Sequence, residues 1–259
     1  MPDAFYQPVA GDRYLSTPAT MGPWDPGLSH GSPPAALLLR AIETAFPRDD
    51  ARVARIAYDF FGPVPVAELT VSAERVRPGT RIDLSRARLA IPGRTVMEAT
   101  AWRIATAPDR VPEVRDEREA PRLPGPQAQR LFDEAPSFGY GEAIEWRFVD
   151  GAFHLTGPAT VYARPRIPLV AGEPVSPLGR LILLVDSANG ISAALPVSNY
   201  TFVPIELTVS VVRHPRTEWV GMRAKTTIAG DGIGQTHAEL FDEAGFIGTA
   251  IQTLFVAPR

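Results

Sequence analysis

Two stretches of the chain consist almost entirely of apolar side chains, and each begins with a serine followed by a proline. The first, SPPAALLLRAIETAF, runs from Ser32 to Phe46, and the second, SPLGRLILLVDSANGIS, runs from Ser176 to Ser192. A serine hydroxyl can accept a hydrogen bond from an unpaired amide at a helix start, and proline fits the first helical turn. A helix that is apolar on all sides packs inside a protein. The pattern therefore predicts two buried helices, the second ending at Gly190.

Much of the remaining chain alternates between apolar and polar residues, as β-strands with one buried face do. The predicted strands cover residues 12–18, 52–59, 68–76, 82–91, 95–104, 145–150, 159–165, 200–212, 218–228, 234–241 and 246–256. The stretch 107–142 is charged, rich in proline and only weakly periodic, which is typical of a linker. We therefore predict an N-terminal unit over 1–106, a linker over 107–142 and a C-terminal unit over 143–259.

The order of these elements repeats, which indicates two similar units in tandem. The pentapeptide ELTVS occurs at Glu68–Ser72 and again at Glu206–Ser210. The two Ser-Pro helix starts, at Ser32 and Ser176, are separated by a similar length of chain. A helix wrapped by a curved antiparallel sheet leaves one sheet edge unpaired, and two such units can pair edge to edge. We therefore predict an α+β protein with a double hotdog fold, in which two helix-wrapped sheets form one continuous sheet.

Composition narrows the possible classes of function. The chain has 259 residues, 45% of them hydrophobic, so it can bury a substantial core. A net charge of −3 and the lack of a Lys/Arg-rich run argue against nucleic acid as a partner. There is no cysteine, and the four histidines show no ligand spacing, so we expect neither a metal nor another cofactor. Without a signal segment or a long apolar run, we expect a cytoplasmic protein that does not bind membranes.

The two units differ at positions that could carry chemistry. When the helix starts are superposed, Asp186 falls opposite Ile42, so the second helix has a carboxylate where the first has a hydrocarbon. Burying a carboxylate is costly unless it is hydrogen-bonded or paired. Gln252 lies in the last predicted strand, whereas residues 96–104 of the corresponding strand include no glutamine. Drift of core residues would give the same difference, but we favour a single active site that one unit has kept.

Several segments resemble the acyl-CoA thioesterase II (TesB-like) branch of the hotdog superfamily. They are HGSPPAALLLRA at 30–41, LVDSANGIS at 184–192, ELTVS with the later Arg213 and Glu218-Trp219, and AIQTLFV at 250–256. In that family an Asp on the second helix, a Gln on the final strand and a Thr or Ser on an intervening strand hold a water that attacks a thioester. The resemblance implies this activity on acyl-CoA, with Asp186 and Gln252 at the first two positions. Thr208 is the nearest hydroxyl on the strand, a few residues past the family position, and Thr201 is an alternative.

These residue types suit the chemistry of thioester hydrolysis. Asp186 can act as a general base toward water, and Gln252 can orient that water because its amide both donates and accepts. The oxyanion of the tetrahedral intermediate needs donors, and the amide of Gly31 at the start of the first helix is our candidate. The phosphates of CoA would favour arginines near the mouth of the site. The candidates are Arg213, Arg216 and Arg223.

Two alternative functions stay open at this stage. Hydratases of the hotdog superfamily use an Asp and a His five residues apart just before the helix, and Asp25 and His30 have that spacing. Alternatively, the chain binds acyl thioesters without turning them over. Convergence of Asp186 and Gln252 on one water-sized position would favour catalysis over binding alone. We also expect a homodimer or higher oligomer, since an exposed sheet face is often covered by a partner.

Overall fold

A computed structural model describes residues 2–107, 110–116, 118–133, 135 and 137–259 of the chain. Within these residues the α-helices are α1 (Ser32–Ala45), α2 (Gly139–Ala143), α3 (Pro177–Val185) and α4 (Ala188–Ile191). The strands are β1 (Tyr6–Ala10), β2 (Arg13–Ser16), β3 (Ala51–Phe60), β4 (Glu68–Arg77), β5 (Ile82–Ile91), β6 (Arg94–Ala105), β7 (Ile144–Asp150), β8 (Ala159–Pro165), β9 (Tyr200–Val211), β10 (Val220–Ile228), β11 (Ile233–Asp242) and β12 (Gly245–Pro258). All eleven predicted strands are confirmed to within two residues. The sequence did not predict β1, which pairs with β2 as a hairpin.

All twelve strands form one antiparallel sheet, which confirms the predicted double hotdog fold. The strand order is β1-β2-β4-β5-β6-β3-β9-β12-β11-β10-β8-β7, so each half has the same order read inward from its own edge. The halves meet at β3 and β9, which pair from Arg55 with Ser210 to Asp59 with Glu206. Edge-to-edge pairing of two units satisfies the backbone groups that each would otherwise expose. No helix in the described part of the chain is long and apolar enough to cross a membrane.

The structural repeat does not have the offset that the ELTVS pentapeptides predicted. The first copy lies in β4 and the second in β9, and these strands hold different places in the two halves. Two β-bulges show which residues of the two halves correspond. The register shift at 53/55 in β3 recurs at 204/206 in β9, and the shift at 89/90 in β5 recurs at 240/241 in β11. Both pairs have the same difference in residue number, which is larger than the difference between the two ELTVS copies. The duplication is therefore correct, but the pentapeptide identity reflects the composition that any two half-buried strands share.

The helices α1 and α3 pack against each other and run antiparallel, so that the start of each lies beside the end of the other. Ser176 caps α3 as predicted, since its Oγ accepts from the Gly179 amide at 3.0 Å. Ser32 does not cap α1, because it is already the first helical residue and Gly31 precedes it without a side-chain cap. The second predicted helix is also shorter than expected. Its α3 segment ends at Val185, and Asp186 forms the C-terminal cap before α4 begins.

The described residues of the segment 107–142 include several that pack against the C-terminal half. These described residues contain no helix or strand before Gly139, as expected of a connection. The side-chain amides of Gln127 and Gln129 each exchange two hydrogen bonds with the backbone of β7, at Phe148 and Trp146, over 2.8–3.0 Å. These amides satisfy groups on an edge strand that would otherwise be free to pair with another chain.

Candidate active site

A cleft opens where the two halves of the sheet separate. Beyond the pairing of Asp59 with Glu206, the first part of β9 (201–205) has a partner on one side only. The cleft beside this gap has a volume of about 490 Å³. Its walls come from the loop before α1, the segment after β3, the start of β9 and the end of α3. The gap thus gives an apolar ligand access to the interior, between the helices and the sheet.

Asp186 and Gln252 meet at the wall of this cleft. Asp186 is 4% exposed and lines the cleft, whereas Gln252 is fully buried behind it. Gln252 Nε2 donates to Asp186 Oδ1 at 2.9 Å and to Asp186 O at 3.1 Å, and its Oε1 accepts from the Asn189 amide at 3.2 Å. The two predicted residues therefore come together. In this arrangement, however, both ends of the glutamine amide are engaged, by Asp186 and by the Asn189 amide.

Gly31 lies directly against the other carboxylate oxygen of Asp186. A Cβ at this position would come within 2.5 Å of Asp186 Oδ2, closer than real Cβ contacts. The Gly31 amide lies close enough to this carboxyl to lower its pKa. That this amide serves the oxyanion stays a prediction. The start of α1 also brings the positive end of its helix dipole to Asp186.

Burial dominates the electrostatics of Asp186. It raises the pKa of this carboxyl from 3.8 to about 7, although the hydrogen bonds from Gln252 and from the Gly31 amide act in the opposite direction. A carboxyl with a pKa near neutrality can both accept and return a proton at physiological pH. Perturbed pKa values of this kind cluster at functional sites.

His30 faces the same carboxylate from the start of α1. Its Nδ1 lies 3.4 Å from Asp186 Oδ2 and accepts a hydrogen bond from the Ser32 amide at 3.1 Å. Burial lowers the pKa of His30 to about 3, so the ring is neutral and the pair is not an ion pair. The ring stacks on Tyr140, with 3.8 Å between centroids and 11° between planes. The sequence pattern related His30 only to Asp25, which is exposed and accepts from the Gly27 amide at 2.7 Å.

Thr208 is not part of this constellation. On β12, Gln252 pairs with Leu207 of β9, and the neighbouring Ile251 pairs with Thr208. Because side chains alternate across a strand, Thr208 lies on the outer face of the sheet. There its Oγ1 contacts Glu206 at 3.2 Å. Thr201, the alternative hydroxyl considered from the sequence, does line the cleft.

The three arginines expected near CoA lie at the other end of the C-terminal half. Arg213 forms two hydrogen bonds with Asp242, at 2.6 and 2.9 Å, and the Arg216 amide donates to the same carboxylate at 2.7 Å. Arg223 pairs across strands with Glu239. Only the beginning of β9 lines the cleft, and its far end is roughly 20 Å away at about 3.3 Å per residue. These arginines support the sheet and its turns and do not line the cleft.

Aromatic residues that the sequence pattern did not predict close the inner end of the cleft. Phe132, Phe138 and Phe153 are 5–8% exposed and line it together with Tyr140. Three of these four belong to the segment interpreted as a linker. The Tyr140 hydroxyl donates to Leu183 O at 2.8 Å and lies 2.8 Å from Ser187 Oγ. Aromatic residues are unusual in a flexible linker, and that signal could have revealed their role.

The opposite ends of α1 and α3 form a smaller cleft of about 250 Å³. Glu43 and Ser176 are among the residues that line it. Burial raises the pKa of Glu43. The residue of the N-terminal half that corresponds to Gln252, by the same difference in residue number as the two β-bulges, is Ala101. It has no polar side chain. The duplicated fold therefore has one carboxylate held by a glutamine and another without it.

Comparison with family models places both halves in one family. A model described as the acyl-CoA thioesterase C-terminal domain matches residues 108–256, and one described as the acyl-CoA thioesterase N-terminal domain matches residues 20–104. No curated protein matches the chain.

Solved structures with the same fold span the whole chain. A hot dog fold protein of unknown function from Alicyclobacillus acidocaldarius is 18% identical, with 99% of this chain and 97% of that chain covered and a TM-score of 0.73. The acyl-CoA thioesterase II TesB2 from Mycobacterium marinum is 16% identical over 92% and 94% of the two chains, with a TM-score of 0.66. The tesB protein from Mycobacterium avium is 14% identical over 98% and 96%, with a TM-score of 0.67. At these identities the structural likeness establishes the fold.

Proposed function

This chain belongs to the acyl-CoA thioesterase family, a family of thioester hydrolases, and we propose that it cleaves acyl-CoA with a water molecule activated by Asp186. One observation carries the proposal. A carboxyl with a pKa near 7 lies at the wall of an apolar cleft, held by a glutamine from the last strand and by the start of α1. This is the arrangement that a general base toward water requires.

The reaction proceeds in two steps at this carboxylate. Asp186 takes a proton from water as the water oxygen forms a bond to the thioester carbon, and the carbonyl π electrons move onto its oxygen. When the tetrahedral intermediate collapses, the C–S bond breaks and the electron pair leaves on sulfur. Asp186 then returns its proton to the thiolate, so the products are a carboxylic acid and free CoA thiol. Gln252 acts as a positioning residue, because it fixes one oxygen of Asp186 and leaves the other toward the cleft.

Two other arginines lie beside the cleft mouth and suit the phosphates of CoA. The Arg94 guanidinium lies next to Gly62, and the Arg259 guanidinium lies over the ring of Trp24, 5.3 Å from its centroid. Gly62 and Trp24 both line the cleft. Neither arginine forms a salt bridge with the residues that the structure describes. A guanidinium without a carboxylate partner is free to bind phosphate.

Release of free thiol from a panel of acyl-CoAs tests the proposal. We expect wild-type turnover, and a loss of about 10³-fold or more in kcat for Asp186→Asn, since the asparagine cannot accept the proton. Glu43→Gln removes the carboxyl of the other cleft and serves as the matched control with unchanged kcat. Equal turnover of wild type and Asp186→Asn would contradict the assignment of Asp186 as the general base. Hydration of a crotonyl thioester without thiol release would favour the hydratase alternative, and no reaction at all would favour a binding protein.

The role of the two arginines has its own test. Arg94→Ala and Arg259→Ala should raise KM for an acyl-CoA and leave KM unchanged for the matching acyl-pantetheine, which has no nucleotide. An equal change with both substrates would show that these arginines do not bind the nucleotide.

A further inference from the structure

His30 is the group in the cleft wall that the proposed reaction has not yet used. It lies between the reacting carboxylate and Tyr140, and its side chain is 14% exposed. Its Nδ1 accepts the hydrogen bond from the Ser32 amide. Since a neutral imidazole carries one proton, that proton must be on Nε2. The start of α1 therefore fixes the tautomer of this ring.

The Nε2–H group faces the cleft without a hydrogen-bond partner among the residues that the structure describes. In the described part of the chain, no protein atom hydrogen-bonds to Nε2, although Nε2 is not among the fully enclosed polar atoms. His30 lines the cleft, so its free N–H is open to a ligand there. The stack on Tyr140 fixes the plane of the ring. Tyr140 is itself held by the hydrogen bond to Leu183 O. The donor is thus oriented before any substrate arrives.

The other side-chain donors that touch Asp186 or His30 are already engaged. Gln252 Nε2 donates to two oxygens of Asp186. The Tyr140 hydroxyl gives its only proton to Leu183 O, so the adjacent Ser187 hydroxyl must donate to the tyrosine. The His30 Nε2–H therefore remains next to Asp186 as a donor in the cleft wall that has no acceptor among the described residues.

Resting on the proposed thioester hydrolysis, we propose that His30 Nε2–H donates to the carbonyl oxygen of the thioester and stabilises the oxyanion. The ring remains neutral and transfers no proton. It acts as a fixed dipole aimed at the charge that develops in the transition state. Water, by contrast, is activated on the opposite side of the ring, where Nδ1 borders Asp186 Oδ2. One side chain thereby orients the carbonyl relative to the base.

Two substitutions separate the two nitrogens of the ring. Asparagine places its amide near the position of Nδ1, so His30→Asn keeps an acceptor for the Ser32 amide and loses the donor in the cleft. Glutamine reaches the position of Nε2, so His30→Gln keeps a donor there. Loss of one oxyanion donor typically costs about 10²–10³-fold in kcat. We expect that loss for His30→Asn, with KM changed less than threefold, and a loss of less than about tenfold for His30→Gln.

A spectroscopic readout distinguishes this role from a merely structural one. In protein labelled with nitrogen-15 histidine, the His30 ring, assigned by its absence in His30→Gln, should show the Nε2–H tautomer. It should not titrate between pH 5 and pH 8, even though Asp186 on α3 faces it and titrates in that range. Tyr140 on α2 and the Ser32 amide, which also contact the ring, stay uncharged there. A ring that titrates near pH 6.5, an Nδ1–H tautomer, or full kcat in His30→Asn would overturn the inference.

Different measurements test the proposed function and the role of His30. If wild type releases no thiol from any acyl-CoA, the proposed function fails, and the catalytic role of His30 fails with it. The tautomer measurement would then still show whether the ring presents a donor. If wild type is active and depends on Asp186 but not on His30, only the inference about His30 is wrong.

Discussion

At the scale of single residues, the site depends on how closely a carboxylate can approach a helix start. Asp186 Oδ2 lies where a side chain at position 31 would begin, so a glycine there lets the Gly31 amide and the carboxylate meet. The backbone of Gly31 has φ −69° and ψ −22°, which any residue can adopt. The need for glycine is therefore steric and comes from the site, since the helix itself would accept alanine.

Gly31→Ala should consequently impair catalysis while the protein still folds. The added methyl group would come within 2.5 Å of Asp186 Oδ2 and 2.9 Å of Phe60 Cε1, so the carboxylate must move. Misplacement of a catalytic group by about 1 Å can cost on the order of 100-fold in rate. We expect kcat to fall by at least tenfold, measured by thiol release. Gly230→Ala, where a Cβ meets nothing within 4 Å, is the matched control, and equal effects of the two would contradict this account.

The raised pKa of Asp186 makes both activity and stability depend on pH. The proposed mechanism requires the ionised carboxylate, so kcat/KM should rise with pH through about 7 and level off roughly one unit above it. The free energy of unfolding depends on pH in the opposite direction, because the raised pKa makes it fall as pH rises. The folded carboxyl holds its proton up to about pH 7, whereas the unfolded one releases it near pH 4, so this group contributes less stability as pH rises between those values.

Urea unfolding of wild type and Asp186→Asn measures the stability effect. His30, whose pKa is lowered, opposes the trend, but it is present in both proteins and cancels in the comparison. The free energy of unfolding of wild type, relative to that of the variant, should fall by about 2–3 kcal/mol from pH 5 to pH 8. A difference that does not change with pH would show that Asp186 titrates normally.

At the scale of elements, the segment 107–142 shows what a periodic pattern cannot reveal. Its described residues form no strand, and no helix before Gly139, and its role as a linker stays a prediction. Yet Leu131, Phe132 and Phe138 are buried in the core, and the amides of Gln127 and Gln129 cap the edge of β7. These contacts are made by single side chains at irregular spacing. A sequence pattern reveals repeated spacing, so it could not place them.

The aromatic cluster from this segment should limit the length of the acyl chain. Phe132 lies 5.2 Å from Phe153 and 6.3 Å from Phe138, measured between ring centroids, and all three line the inner end of the cleft. Phe132→Leu should shift the preference toward longer acyl-CoAs, raising the ratio of kcat/KM for long over short chains by about tenfold or more. Phe148→Leu also removes a ring packed on Phe153, at 5.4 Å, but Phe148 does not line the cleft. The same shift in both variants would mean that the substitutions act by loosening the packing of the aromatic cluster, and that Phe132 does not set the length of the cleft.

At the scale of the whole molecule, the sequence predicted the duplicated fold from one kind of pattern and the candidate site residues from another. Two apolar helices and eleven predicted strands sufficed for the fold, because burial requires a helix and a sheet face to cover each other. The ELTVS correspondence was a coincidence, and the β-bulges, which recur at one common offset, are invisible in a sequence pattern. Asp186 and Gln252 could be proposed as site residues because each is a polar residue in an apolar element. His30 was singled out only for its spacing from Asp25. Tyr140 and Arg259 lie in a short helix and in the last residue of the chain, where polarity is ordinary and carries no signal.

The central claim is that Asp186 activates water and does not itself attack the thioester. A single turnover in oxygen-18 water, with enzyme in excess over an acyl-CoA, tests this most directly. We predict that thiol is released, that the product acid carries oxygen-18 in the first turnover, and that the peptide containing Asp186 remains unlabelled. Oxygen-18 in the Asp186 carboxyl, with unlabelled product acid, would show a covalent anhydride formed by Asp186 and would contradict the account.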